Sequence, residues 1–394
     1  MEKRITVVGA GIGGMAAALA CAQTGWRVAL LEQSQAVGEI GAGIQLGPNA
    51  VRALQALGLQ QPLQDVAAYP EALRVRNALS ADTLAVMPLG QASVQRYGAA
   101  YATVARADLH AMLWQAAQAR GSVSLQRGVR VVDVQQDASV APQVSVSTQD
   151  GHRHQTPVLV GADGLWSGVR PYVVADGAPR LTGHLAWRAM VQQSELPSTL
   201  RSHSVTAWLG PDFHAVVYPV RRGEWLNMVV IVHGTLAGDP QRWDHLAAPA
   251  DLRQRLVGAC MPLRDLVQAV GTWRQWALYD RVPMASAAEH ARGAIALLGD
   301  AAHPMRPYLA QGAGMAIEDA LALANCLADL RQGVPQALGR YAGQRWQRNA
   351  RVQARAIRNG RIFHLKGPMR VARDASLRIA GTRLLDMPWL YGGP

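Results

Sequence analysis

Three carboxylates in this chain stand where short apolar runs end: Glu32 after residues 27–31, Asp163 after 158–161 and Asp300 after 294–299. A carboxylate so placed can accept hydrogen bonds from the hydroxyls of a ribose or a polyol chain. Ahead of Glu32 lies Gly9-x-Gly11-x-x-Gly14, with Gly13 inside it, and this spacing suits phosphate. Gly9 permits a tight turn, Gly11 lets backbone approach a pyrophosphate, and Gly14 allows close packing. The following helix N-terminus offers N–H groups and a positive dipole. His214 and Tyr218, in Phe213-His-Ala-Val-Val-Tyr-Pro219, form a second kind of constellation. Residues i and i+4 of a strand share a face, so the pair is expected to converge on one pocket, with histidine as a base suited to neutral pH. Packing of both rings against a sheet is the competing reading.

These residues need a frame. Residues 4–8 form an apolar β-branched run, 15–23 an Ala- and Leu-rich helix ended by Gly25, and 27–32 a second strand, together a βαβ unit. A glycine-rich loop over 38–49 (Gly38, Gly41, Gly43, Gly47) leads into a helix over 48–57, followed by strand-like pieces and turns over 70–100. A helix over 106–119 precedes strands near 122–134, 143–149 and 157–161. Antiparallel strands over 181–191, 203–209, 213–220 and 225–233 make a sheet-rich middle, with turns over 238–250 and a helix over 251–259. A buried strand at 295–298, a long helix over 315–330 and Arg-rich helix from about 335 complete the chain. The predicted class is α/β. A Rossmann-type nucleotide-binding domain comes from residues 1–70, 100–180 and 280–340, and an inserted antiparallel-sheet substrate domain from 71–99 and 181–279. Residues 341–394 form a C-terminal helical segment.

The glycine motif by itself does not choose between FAD and NAD; the later segments favour a flavin. Residues 294–304 read as a strand delivering Asp300 into a turn, and Gln311-Gly312-Ala313-Gly314 open the long helix. A strand-end acid and a glycine-rich helix N-terminus match the ribityl chain and the N1–C2=O edge of a reduced flavin. Val160 to Arg170 puts Asp163 and Arg170 just beyond another strand. With Gly9–Gly14, Asp163-Gly164 and Gly299-Asp300 in that order, the chain resembles the single-component flavoprotein aromatic hydroxylases, the group containing p-hydroxybenzoate and salicylate hydroxylases. Residues 41–50, Ala186-Trp187-Arg188 and Trp389-Leu390-Tyr391-Gly392 extend the resemblance over essentially the whole length. The similarity is greatest to the subgroup acting on 3-hydroxybenzoate, salicylate or 6-hydroxynicotinate.

That resemblance implies a Rossmann-type FAD-binding domain and a set of roles. Glu32 binds the adenosine ribose, Arg106 reaches the pyrophosphate side, and Asp300 holds the ribityl chain. Ala42, Gly43, Ile44 and Gln45, with Gly312, Ala313 and Gly314, line the isoalloxazine. Asp163 and Arg170 serve FAD and the nicotinamide, and His214 and Tyr218 contact the substrate phenol. NADH or NADPH reduces FAD, O2 adds at C4a, and the distal oxygen passes to the ring of a small phenolic acid. A monooxygenase tailoring a larger aromatic natural product, or a non-catalytic FAD-binding protein, stays open beside this reading. Two positions depart from the family pattern: Ala105 stands where histidine is frequent, and Arg306 where an apolar residue is expected. His303 reads more readily as a cap on the Asp300 turn than as a catalytic group.

Composition bounds the rest. Hydrophobic residues make up 49% and charged residues 17%, which excludes a disordered or fibrous chain. Of the 39 basic residues, all but Lys3 and Lys366 are arginine, and the formal charge is +12. Such a balance suggests nucleic acid or an anionic membrane, yet it also suits an enzyme gathering small anions. No DNA- or RNA-binding module accompanies it, so nucleic acid is not expected. Arg348, Arg351, Arg355 and Arg358 share a helix face, inside a stretch from 340 to 373 without Asp or Glu. An ion-paired inter-helix face, an anionic lipid contact and a homodimer contact are the readings of that stripe. Cys21, Cys260 and Cys326 are far apart, no metal site is expected, and with neither a signal peptide nor a membrane span in view a cytoplasmic protein is expected.

Overall fold

In the computed structural model, residues 3–35, 42–137, 143–236, 239, 241 and 245–394 are described. Gly38 and Gly41 of the expected glycine-rich loop, and part of the 238–250 turns, lie outside them. The apolar β-branched runs form a six-stranded sheet in the order Ala291–Arg292, Ile295–Leu297, Leu159–Gly161, Arg4–Val8, Arg27–Glu32, Val123–Arg127. All neighbours are parallel except the first pair. Parallel strands are covered on both faces, hence their unbroken hydrophobicity. The helix Ile12–Gln23 is buried almost throughout, from Ile12 to Cys21. Its alanines allow the helix Gly312–Ala328 to lie close against it, and Gly25, with φ +83°, ends it.

A second sheet holds eight strands, in the order His245–Ala247, Trp273–Asp280, Arg180–Gln192, Trp225–His233, Phe213–Val220, Val205–Gly210, Ala72–Asn77, Thr83–Pro88. The neighbours among the last five in sequence pair as hairpins do. Val205–Gly210 and Ala72–Asn77 pair in parallel, because a long stretch of chain separates them. One face of this sheet builds a core of Trp187, Trp208, Phe213, Ala215, Val217 and Trp273. The alternate residues of the same strands, among them His214, Val216 and Tyr218, turn the other way.

Three helices lie outside the sequence expectation: Gln60–Val66, Gly90–Tyr97, in a stretch read as strands and turns, and Met261–Gln268. All are short, and too few turns are present for a 3.6-residue period to stand out. The long helix takes its first turn from the glycine-rich segment and begins at Gly312.

The helix Val334–Phe363 has 30 residues and spans about 45 Å at 1.5 Å per residue. Tyr341, near its start, donates to Leu297 O of the first sheet at 2.9 Å. Phe363, at its end, packs beside Ile231 of the second. One helix therefore braces both sheets and delivers His364, which follows it, to the second. Cys21, Cys260 and Cys326 are each buried and unpaired. Among the described residues no helix is long and apolar enough to cross a membrane.

Candidate active site

The glycine loop has the geometry of a phosphate cradle. Gly9 has φ +98°, and a Cβ there would stand 2.4 Å from Ala162 O. A Cβ on Gly14 would stand 1.8 Å from Gly9 O, whereas one on Gly11 would meet nothing within 4 Å. The turn is thus closed on the protein side and open where a diphosphate would lie. Gly13 serves packing, since its Cβ would fall 2.8 Å from Leu298 Cδ2, just after the strand Ile295–Leu297. The Ala10 peptide is gripped twice: its N–H donates to Glu32 Oε2 at 2.7 Å, and His110 Nε2 lies 3.0 Å from its carbonyl. Burial lowers the His110 pKa. His110 escaped the sequence reading, because a histidine on the second turn of a helix carries no signature. Gly14→Val is expected to abolish FAD uptake, read as loss of flavin absorbance in the purified protein. Retention of stoichiometric flavin would overturn the cradle.

Asp300 sits at the start of the 3-10 turn Gly299–Ala301. It reaches solvent, yet protein atoms crowd it enough that desolvation raises its pKa against the pull of His303 and Arg106. A Cβ on Gly312 would be 3.9 Å from Asp300 Oδ1, so the carboxylate faces the N-terminus of the long helix. Arg106 N donates to Ala42 O at 2.7 Å. Burial lowers the Arg106 pKa, which Asp300 opposes and Arg188 reinforces. Two guanidiniums and one carboxylate therefore share one region between the two sheets.

Gly43 joins that region to the second sheet. Its N–H donates to Asn227 Oδ1 at 2.6 Å, and a Cβ there would lie 2.6 Å from the Tyr218 ring. Gln45 Oε1 accepts from Tyr101 Oη at 2.8 Å, and Ile44 packs on the first core. Asn49 donates to Gln311 Oε1 and Glu318 Oε1, tying the 42–50 loop to the helix that begins with Gly312, Ala313 and Gly314. A Cβ on Gly314 would press to 3.2 Å from Ala50. Asn227 is a site-building residue that sequence reasoning missed, since nothing local marks an amide as a bridge.

Asp163 and Arg170 are each held by protein groups. Asp163 accepts from Ser167 Oγ at 2.5 Å and from the N–H groups of Gly168 and Val169, closing its own turn. Arg170 is 2% exposed. It donates to Ala301 O and Ala302 O at 2.7 Å each and pairs with Asp176. It buttresses the turn carrying Asp300. His303 lies 2.5 Å from Asp319, behind that same turn. Arg306, unexpected beside a flavin, turns aside to Asp280 at 2.8 Å.

His214 and Tyr218 share a strand face, but four residues along a strand span about 13 Å. Tyr218 belongs with Gly43 and Tyr101, and burial raises its pKa beyond the usual phenol range. His214 lies farther along, with Nδ1 2.8 Å from His364 Nε2 and its ring 5.2 Å from Tyr308. Burial, followed by His364 and His184, holds its pKa well below that of a free imidazole. Arg188, two strands away, is buried over Trp276, 4.8 Å from the ring centre. A cavity lined by Trp187, Gln254, Arg255 and Gln275 opens on the opposite face of this sheet.

The arginine stripe has partners that sequence alone did not reveal. Arg348 forks onto Glu318 at 2.7 and 2.8 Å and donates to Trp389 O and Leu390 O. Arg351 stacks on Trp389 at 4.0 Å, and Arg355 donates to Asn359. The acid, Glu318, comes from the preceding helix, not from the stretch itself. Arg348 and Arg351 thus fasten the C-terminal segment; Arg358 is exposed.

Comparison with known proteins agrees with this geometry. The FAD binding domain family matches residues 2–356. The chain is 38% identical over 391 residues to the 3-hydroxybenzoate 6-hydroxylase of Polaromonas naphthalenivorans (strain CJ2), covering 98% of this chain and 95% of that one. It is 34% identical over 360 residues to the 6-hydroxynicotinate 3-monooxygenase of Bordetella bronchiseptica (strain ATCC BAA-588 / NCTC 13252 / RB50), covering 89% and 90%. The structure of Klebsiella pneumoniae HpxO complexed with FAD and uric acid superposes with a TM-score of 0.85 at 28% identity, covering 97% and 94%. A salicylate hydroxylase substrate complex gives 0.83 at 25%, covering 98% and 95%. The chain belongs to the FAD-dependent aromatic monooxygenases.

Proposed function

We propose that the substrate is a small phenolic aromatic acid, of the 3-hydroxybenzoate, salicylate or hydroxynicotinate kind, lying across the strip between His214 and Tyr218. One observation carries this reading: Gly43 of the expected flavin loop touches Tyr218 and Asn227, so that strip borders the cofactor region. Residues 72–88 and 180–280 then act as the substrate unit. Glu32, the Gly9–Gly14 loop and Asp300 hold FAD, and the 42–45 and 312–314 segments flank its ring. Bound FAD, reduced by NADH or NADPH, supplies the oxygen transfer.

The chain's own residues orient the ring and move a proton. Arg106 and Arg188 supply a positive field for the substrate carboxylate. His214 uses Nδ1 toward His364, which leaves Nε2 for the phenol. Removing the phenol proton makes the ring electron-rich, as electrophilic hydroxylation needs. A buried imidazole does not keep that proton. His364 Nδ1 lies 3.2 Å from His233 Nε2, and the His233 side chain is 53% exposed, so three imidazoles lead from the strip to solvent. Each neutral ring can accept on one nitrogen and release from the other.

NADH and NADPH consumption, with product analysis, over hydroxybenzoates and hydroxypyridine acids tests the proposal. Stimulation with matching product is expected from an acid bearing a free phenol, and little from benzoate. No stimulation by any member would overturn the substrate class.

A further inference from the structure

Four of the eleven histidines of the chain converge at the far end of the second sheet. His184 comes from the strand Arg180–Gln192, His214 from Phe213–Val220, His233 from Trp225–His233, and His364 from the end of the helix Val334–Phe363. The ring centres of His184, His233 and His364 are 4.5 to 5.2 Å apart. We propose that His184, His233 and His364 bind one divalent transition-metal ion of the zinc, nickel or copper kind.

The geometry fits. One ligand nitrogen from each of the three lies within 4.8 Å of the other two. His364 Nδ1 and His233 Nε2 are 3.2 Å apart, near the about 3.4 Å edge subtended by two 2.1 Å metal–nitrogen bonds at a tetrahedral angle. The outer nitrogens are supported as metal-bound imidazoles usually are. His364 Nε2 faces His214 Nδ1 at 2.8 Å, and His184 Nδ1 faces Tyr308 Oη at 2.5 Å. Tyr308 is itself seated on Gly360, where a Cβ would stand 2.5 Å from its ring.

Charge and access agree. His184 and His364 are buried. His233 is half exposed and gives the ion its way in. Asp212 Oδ1, 3.8 Å from His233 Nε2, is an oxygen at hand for the fourth position, in competition with Lys366. Imidazole nitrogens select these ions over magnesium or calcium. Among the described residues a second cluster, His290, His303 and Asp319, is different: Arg345 already sits on Asp319 at 2.7 Å and closes it to a cation.

Binding would also bear on turnover, and that consequence rests on the proposed role of His214. An ion on His364 Nδ1 fixes the remaining proton on Nε2, so His364 donates to His214 and no longer accepts from it.

Cobalt(II) titration of the FAD-loaded protein tests the site, read by d–d absorption beyond the flavin bands and by calorimetry. One equivalent per chain, displaced by zinc and indifferent to magnesium, is the expected result. His233→Ala and His364→Ala, checked for wild-type flavin content, should each weaken binding by more than the about 100-fold that loss of an outer hydrogen bond costs. Absence of binding, or equal binding by wild type and both variants, overturns the site. Binding accompanied by chelator-reversible inhibition supports both readings. Binding without inhibition supports the metal site and removes His364 from the proton path.

Discussion

Replacement of His214 by asparagine is expected to lower the rate of product formation by about 10²–10⁴-fold, the range for loss of a positioned general base. The magnitude follows from where His214 stands. It is 2% exposed, so no bulk water replaces it beside a buried phenol. Its partner on Nδ1 is another imidazole rather than a carboxylate, so its function depends on passing a proton along and not on holding one. Asparagine retains a polar side chain of similar reach but cannot take up and release a proton. NADH oxidation is expected to persist while hydroxylated product falls and peroxide rises, because reduction of the flavin does not require a phenolate. Product per NADH consumed is therefore the decisive quantity, measured with flavin content matched to wild type. Wild-type yield and rate in His214→Asn would end the assignment of His214 as the base.

Arg345→Met should cost about 3–5 kcal/mol of stability, the range for removing one partner of a buried ion pair. Arg345 is 1% exposed, with Glu318 at 2.9 Å and Asp319 at 2.7 Å, both equally buried. Methionine fills much of the volume but takes the guanidinium from both buried carboxylates, leaving Glu318 to Arg348 and Asp319 to His303. Burial pushes the Asp319 pKa up, yet His303 and Arg345 outweigh it and hold the carboxyl well below the usual range. A lowered folded-state pKa contributes stability above the unfolded value, about 3.9, and that stability is lost as pH falls below it. The variant has less of this term to lose, so its stability should fall less steeply on acidification. Asp319 also accepts from Gly299 N at 3.3 Å and from His303, so the Asp300 turn should loosen and FAD affinity should drop. Chemical denaturation of FAD-loaded protein at neutral and acidic pH reads both effects. Adding Glu318→Gln should recover part of the loss. A change below about 1 kcal/mol in the single variant would show that the pair is solvated in solution.

Much of the nucleotide half was legible from local pattern. A strand, a glycine turn and a helix are contiguous, so Gly9 to Gly14 and Gly299-Asp300 carry their geometry in their own spacing. The open side of Gly11 and the closed side of Gly14 follow from that turn alone. The same holds for the face shared by His214 and Tyr218, because side-chain alternation is built into a strand. The sequence also established an acid-free arginine stripe, but not what it touches.

What tertiary structure decided are the contacts between segments that no short-range rule relates. His364 reaches His214 across 150 positions, and Asn227 reaches Gly43 across 184. Arg348 finds Glu318 on one side and the carbonyls of Trp389 and Leu390 on the other, which turns a charged stripe into a clasp. Arg170 props the turn that carries Asp300, which is brought to it from 131 residues away. The reason is the same in each case. Spacing sets which way a side chain leaves its own strand or helix, whereas its partner depends on how a 30-residue helix and two sheets dock.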